Sequence, residues 1–140
     1  MDKAQLDAWN EQMIAEFHSN GGKIAQFKDA PVLLLHHKGA KTGKDRLNPL
    51  VYLDDAGRII IFASKAGAPS HPDWYHNLKA HPDVEIEVGT GRFRVRAEEL
   101  TGTDRDRLFK EQVEKMPQFG EYAKSAEGHR EIPVLELKRV

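Results

Sequence analysis

The segment GAKTGKDRLNP, Gly39–Pro49, sets Lys41, Lys44 and Arg46 close together between glycines and a proline. Residues of these types suit an anionic group. Arginine offers phosphate a planar fork, lysine offers a point charge, and glycine lets backbone N–H groups approach closely. A second small, basic stretch, Ser64–Lys65–Ala66–Gly67, repeats that chemistry. After it comes DWYHN, Asp73–Asn77, whose Trp74 and Tyr75 either flank a flat ring or fill a core. Two readings fit these residues: a pair of solvated loops, or a site for a small anion that carries a planar part.

Other chemistries fit less well. The spacer between Gly39 and Gly43 is one residue too short for a nucleoside-triphosphate loop, Asp45 stands where that motif needs Ser or Thr, and a strand pattern follows instead of a helix. His71, His76 and His81 recur every five residues. On a helix that spacing leaves successive side chains about 140° apart, which argues against a shared metal ion. His36 and His37 are neighbours on a strand pattern and should face opposite ways. No metal site is expected, and no nucleophile elbow is present.

The elements that must carry the basic segments are legible from periodicity. Leu6, Trp9, Met13, Ile14 and Phe17 line one face of an expected helix over residues 3–18, stopped by Asn20–Gly22. PVLLLHH reads as a strand, and Asn48–Ser64 as a hairpin turning at Asp55–Gly57. DVEIEV and RFRVRA form a second hairpin, with Val84, Ile86, Val88, Phe93, Val95 and Ala97 inward. The outer Arg92, Arg94 and Arg96 then face glutamates across the strands, which accounts for them without a nucleic acid. A helix is expected over His71–Pro82 with Pro72 in its first turn, and another from a cap at Thr103. A shorter helical or irregular piece should follow at PQFGEYAKSAEGHR, and IPVLELKRV should close the sheet. Antiparallel meanders with a few helices point to an α+β domain, a small barrel that closes its own edges.

Length and composition bound the rest. The chain has 140 residues, 31% charged and 39% hydrophobic, and reads as one domain, 1–140, with a real core. It has no cysteine, and so neither disulfide nor thiolate chemistry. The net charge of −1 argues against nucleic acid as a partner. The excess of cations is local: residues 21–80 carry nine Lys and Arg against five Asp and Glu, a balance suited to a small anion. No signal segment or stable membrane anchor is legible, so a cytoplasmic chain, at most loosely associated with a membrane, is expected.

Longer patterns carry more than composition does. GAKTGKDRLNPLVYL, then RIIIFASKAGAPSHPDWYHNLKAHPDVEIEVG, then REIPVLEL, resembles the deazaflavin (coenzyme F420)-dependent nitroreductase family of actinobacteria. The likeness runs from about Pro31 to the C-terminus, with S-K-x-G-A-x-x-x-P-x-W-Y-x-N-L at its centre. It implies a split β-barrel of the FMN-binding type, antiparallel strands with flanking helices, in which 1–20 is an N-terminal amphipathic helix and 31–140 the cofactor-binding barrel.

The resemblance also implies a groove for an 8-hydroxy-5-deazaflavin with a phospholactyl-glutamate tail. Ala40, Lys41, Thr42 and Arg46 would meet the anionic tail. Leu47, Asn48, Pro49, Leu50 and Val51 would lie along the coenzyme, and Phe62, Ala63, Ser64 and Lys65 would sit at the next strand end. Asp73, Trp74, Tyr75, His76, Asn77 and Phe119 would complete the pocket. The implied activity is hydride transfer from the reduced deazaflavin to a quinone, nitroaromatic or other electron-poor acceptor. The chain departs from the family's pattern in MPQFGEY, where members place several tyrosines and it has Met116, Phe119 and one tyrosine, Tyr122. The acceptor's proton would then come from Tyr122 or from water, and the missing hydroxyls weigh against activation of bulky nitroimidazoles. Two alternatives stay open: the same barrel as an FMN-dependent reductase, and a non-catalytic carrier of the deazaflavin. Related barrels occur as monomers and homodimers.

Overall fold

The computed structural model describes residues 2–140. Six strands, β1 (Val32–Lys38), β2 (Asp45–Asp55), β3 (Arg58–Phe62), β4 (Asp83–Val88), β5 (Gly91–Leu100) and β6 (Val134–Arg139), close into a barrel in the order β1-β2-β3-β6-β5-β4. Every pairing is antiparallel. Four helices surround it: α1 (Lys3–Ser19), α2 (Asp73–Ala80), α3 (Gly102–Lys115) and α4 (Gln118–Ala126).

Period-two alternation sorts the strand side chains into an inside and an outside. Leu33, Leu35, Ile61, Val84, Ile86, Val95, Leu135 and Leu137 fill the barrel, and Trp74 and Leu78 of α2 plug one end of it. On the outer face, Met13 and Phe17 of α1 pack over Val32 and Leu34 of β1. Leu108 and Phe109 of α3 and Phe119 of α4 cover Leu53, Ile60, Phe62 and Val134. Helix α1 starts with a reciprocal capping box between Asp2 and Gln5. It ends where Gly22, at φ +97°, lies directly against the backbone of Gly89 in the β4–β5 turn. Among the described residues no helix is long and apolar enough to cross a membrane.

Three expectations shift. Strand β2 starts at Asp45, before Asn48, because β1 extends to Lys38 and pairs it with Asp45. Pro72 caps α2 from outside instead of sitting in its first turn. Helix α3 takes Thr101, not Thr103, as its cap; the chain turns out of β5 at Gly102, φ +67°, and no side chain caps the start. Of the outer arginines, Arg92 pairs with Glu85 and Arg96 with Asp83, while Arg94 lies opposite Glu85 in register without an ion pair among the described residues.

Candidate active site

The end of the barrel plugged by α2 collects the β1–β2 loop, the turn after β3 and the segment leading into β6. A chain of hydrogen bonds ties the first of these down. Asn77 on α2 accepts the Ala40 N–H at 2.8 Å through Oδ1, and its Nδ2 donates to His37 Nδ1 at 3.0 Å. His37 Nε2 then donates to Asn48 Oδ1 at 2.6 Å. This pattern requires the neutral imidazole with its proton on Nε2. Burial and the nearby Arg46 push the His37 pKa down, against the Asn48 bond, and so favour that neutral form. Helix α2 thus locks the loop that carries Lys41 and Thr42.

The turn after β3 is strained. Ser64 is right-handed helical, and Lys65, Ala66 and Gly67 follow at φ +45°, +52° and +82°. A left-handed conformation costs a non-glycine residue about 1–2 kcal/mol. A right-handed residue followed by a left-handed one also turns successive N–H groups toward one side, a concavity suited to an anion. Gly67 is needed here, since a Cβ would stand 2.8 Å from Ser125 Cβ and 2.9 Å from Tyr122 O. Helix α4 therefore rests on the turn and brings Tyr122 beside it. Arg130 lies beneath, donating to the carbonyls of Ala63 (2.9 Å), Ser64 (2.8 Å) and Ala68 (3.0 Å) and to His71 Nδ1 (3.1 Å).

Along the outer face of β2, Leu47 and Val51 pack toward α1, while Leu53 packs toward α3 and α4. At the Leu53 end a cleft of about 670 Å³ opens between the turn at Phe27–Pro31 and the α3–α4 elbow, lined by Tyr52, Gln112, Lys115, Met116 and Gln118. A smaller, polar cleft of about 420 Å³ lies beside Arg46, between β1 and β4.

The expected site residues fall into two groups. Ala40, Lys41, Thr42, Arg46, Lys65, Asp73 and His76 are exposed at the plugged end, with Asn48 and Ser64 half-buried among them. Among the described residues Lys41, Lys44 and Arg46 have no acidic partner within 4.0 Å, in contrast to Arg58 and Arg107 with their carboxylates. Among the described residues Lys65 meets only Ser70 Oγ, at 3.2 Å. The second group is packing. Trp74, Ala63 and Leu50 belong to the barrel interior, and Phe62 and Phe119 stack edge to face at 5.7 Å beneath α4. Phe119 in turn contacts the Tyr122 ring at 5.2 Å. Tyr75 donates to Glu99 at 2.7 Å, and burial followed by that contact pushes its pKa up to about 12. Pro49 lies on β2 opposite Leu34. His37, His71 and Arg130 are site residues that motif reading missed, although Arg130 opens the REIPVLEL stretch quoted above.

The sequence profile described as F420H(2)-dependent quinone reductase matches residues 9–138. This chain belongs to that family. The match takes in most of α1 as well as the barrel. Among the family's relatives, an F420H(2)-dependent quinone reductase of Mycobacterium tuberculosis is 44% identical over 110 residues, 78% of this chain and 74% of that protein. A solved F420-H2 dependent reductase is 38% identical over 77% of this chain and 94% of its own, with a TM-score of 0.69. A structure described as a domain-swapped dimer is 32% identical, covers 96% and 98% of the two chains, and has a TM-score of 0.71. The donor set fits the coenzyme of this family: cations without acidic partners and a concave left-handed turn suit a multiply anionic tail.

Proposed function

We infer that this chain reduces a quinone with reduced coenzyme F420, holding the coenzyme's tail at the plugged end of the barrel. The observation that carries the reading is the set of rim cations without carboxylate partners: Lys41 and Lys65 on loops fixed by Asn77 and Arg130, and Arg46 at the start of β2. Bound reduced deazaflavin supplies a hydride from C5, and with one proton a quinone becomes a hydroquinone. The chain's own residues do the binding and ordering. Lys41, Arg46 and Lys65 bind the anionic tail, with the N–H groups of the Ser64–Gly67 turn beside them. Asn77 and His37 fix the loop of Lys41, so little ordering is left to do when the coenzyme arrives. Tyr122, whose backbone lies against the strained turn, is the residue we assign as donor of the acceptor's proton.

Parallel titrations with coenzyme F420 and FMN test the cofactor. Micromolar binding of FMN alone would replace this reading with the flavin one. Mixing the reduced coenzyme with a menaquinone analogue then tests turnover, and tight binding without oxidation across a panel of quinones would make the protein a carrier. Replacing Arg46 or Lys65 with Ala should remove a charge-assisted contact worth about 1.5–3 kcal/mol, seen as weaker coenzyme binding that eases at high salt. Unchanged affinity in both variants would place the tail elsewhere.

A further inference from the structure

Arg130 is a half-buried cation that meets no carboxylate within 4.0 Å among the described residues. Its N–H groups go to three backbone carbonyls and one imidazole nitrogen. Neutralising a charge is therefore not its task; it organises a fold of the backbone. The carbonyls of Ala63, Ser64 and Ala68 bracket Lys65 and Ala66, the two residues of this turn held at positive φ without being glycine. Such a conformation persists only where its surroundings over-determine it. The Ser64–Gly67 turn supplies part of that constraint itself, through Gly67 N–H to Ser64 O and Ala68 N–H to Lys65 O. The guanidinium supplies the rest from a distant stretch of chain.

We propose that Arg130 is the positioning residue of the coenzyme site: by drawing three carbonyls and His71 onto one planar fork, it keeps Lys65 and the concave turn in the conformation that binds the anionic tail. This rests on the coenzyme reading above and adds to it a residue that touches neither coenzyme nor acceptor. Lysine is no substitute, because a single ammonium does not span three carbonyls set around a plane.

A pH dependence follows from the same geometry. His71 Nδ1 accepts from Arg130 only while the ring is neutral. Around that ring stand Arg130, the Tyr75 ring at 4.6 Å, the His76 ring at 5.8 Å and, beyond the Tyr75 hydroxyl, Glu99. Burial first, then Arg130 and His76, oppose protonation of His71, and Glu99 favours it. A protonated His71 withdraws its acceptor and sets a like charge against the guanidinium, so the turn loosens and coenzyme binding weakens.

The test measures coenzyme F420 affinity in the full chain, with wild type as the first point. Arg130→Lys should bind at least about tenfold more weakly. Lys65→Ala should then cost much less in the Arg130→Lys background than in wild type, because the turn that presents Lys65 is already lost. Adding Ala66→Gly, which removes the strain at φ +52°, should restore part of the affinity. Between about pH 7.5 and 5.5, wild type should lose more affinity than His71→Asn, which keeps an acceptor that cannot be protonated. Wild-type affinity in Arg130→Lys, or the same fold-loss for Lys65→Ala in both backgrounds, overturns the proposal and leaves the coenzyme site standing. If Arg130→Lys does not fold, the His71→Asn comparison decides with the arginine intact, and equal pH slopes overturn the proposal. Wild-type protein that binds no coenzyme F420 overturns both this proposal and the reading beneath it.

Discussion

Asn77→Ala is the sharpest test of how the site is held. The amide makes two bonds, to the Ala40 N–H at 2.8 Å and to His37 Nδ1 at 3.0 Å. A neutral hydrogen bond contributes about 0.5–1.5 kcal/mol net, while a buried group left without a partner costs about 1–3 kcal/mol. Ala40 is exposed, so water replaces its partner and that loss stays at the low end. His37 is only 3% exposed, so its Nδ1 carries the full penalty. The total is about 1.5–4 kcal/mol, read as a lower midpoint in urea with unchanged slope. Coenzyme affinity should fall as well, since the loop of Lys41 is released. A His37→Leu change in the Asn77→Ala background removes the orphaned nitrogen. The double variant should therefore be more stable than the two single losses predict, by about 1 kcal/mol or more. A loss below about 0.5 kcal/mol for Asn77→Ala, or strict additivity in the pair, would refute the relay.

Other outcomes follow from contacts already described. Since His37 and His71 both have pKa values lowered in the fold by burial, the unfolded chain binds protons more readily. Stability should therefore be full above the ordinary value of 6.5 and decline as pH falls through it, with a shallower decline in His37→Gln, as urea midpoints across pH will read. Gly22→Ala places a Cβ within 2.7 Å of Gly89 N at φ +97° and should cost about 2 kcal/mol or more of stability, with faster amide exchange in α1. Gly67→Ala meets Ser125 and Tyr122 and should lift α4 off the turn, giving a protein that unfolds at lower urea and has a raised KM for the quinone.

Local pattern revealed what local physics decides. The alternation of Val84, Ile86 and Val88 fixed both the strand and its inward face, and the spacing of Met13 and Phe17 fixed the packed face of α1, although Leu6, expected on that face, is exposed. The place of β6 was not legible: IPVLELKRV reads as a strand, but only barrel closure sets it between β3 and β5. The site divides in the same way. Lys41, Arg46 and Lys65 announce an anion through residue type alone. The frame around them does not, because Asn77 meets His37 across 40 positions and Arg130 meets Ser64 across 66. Trp74 was ambiguous for a related reason, since an aromatic side chain beside a site and one inside a barrel look alike until α2 is seen to plug the end.

The insertion of β6 has a consequence for how the molecule comes into being. During synthesis β3 and β5 both emerge before Val134–Arg139, and each then presents a row of unsatisfied peptide groups along one side. The nascent chain is open to mispairing with its neighbours until the final strand arrives, and the long-range closure makes that step slow. Arg130 enters with the same stretch, so the turn at Ser64–Gly67 acquires its clamp only when the barrel shuts. Maturation of the barrel and competence to hold a coenzyme are one event.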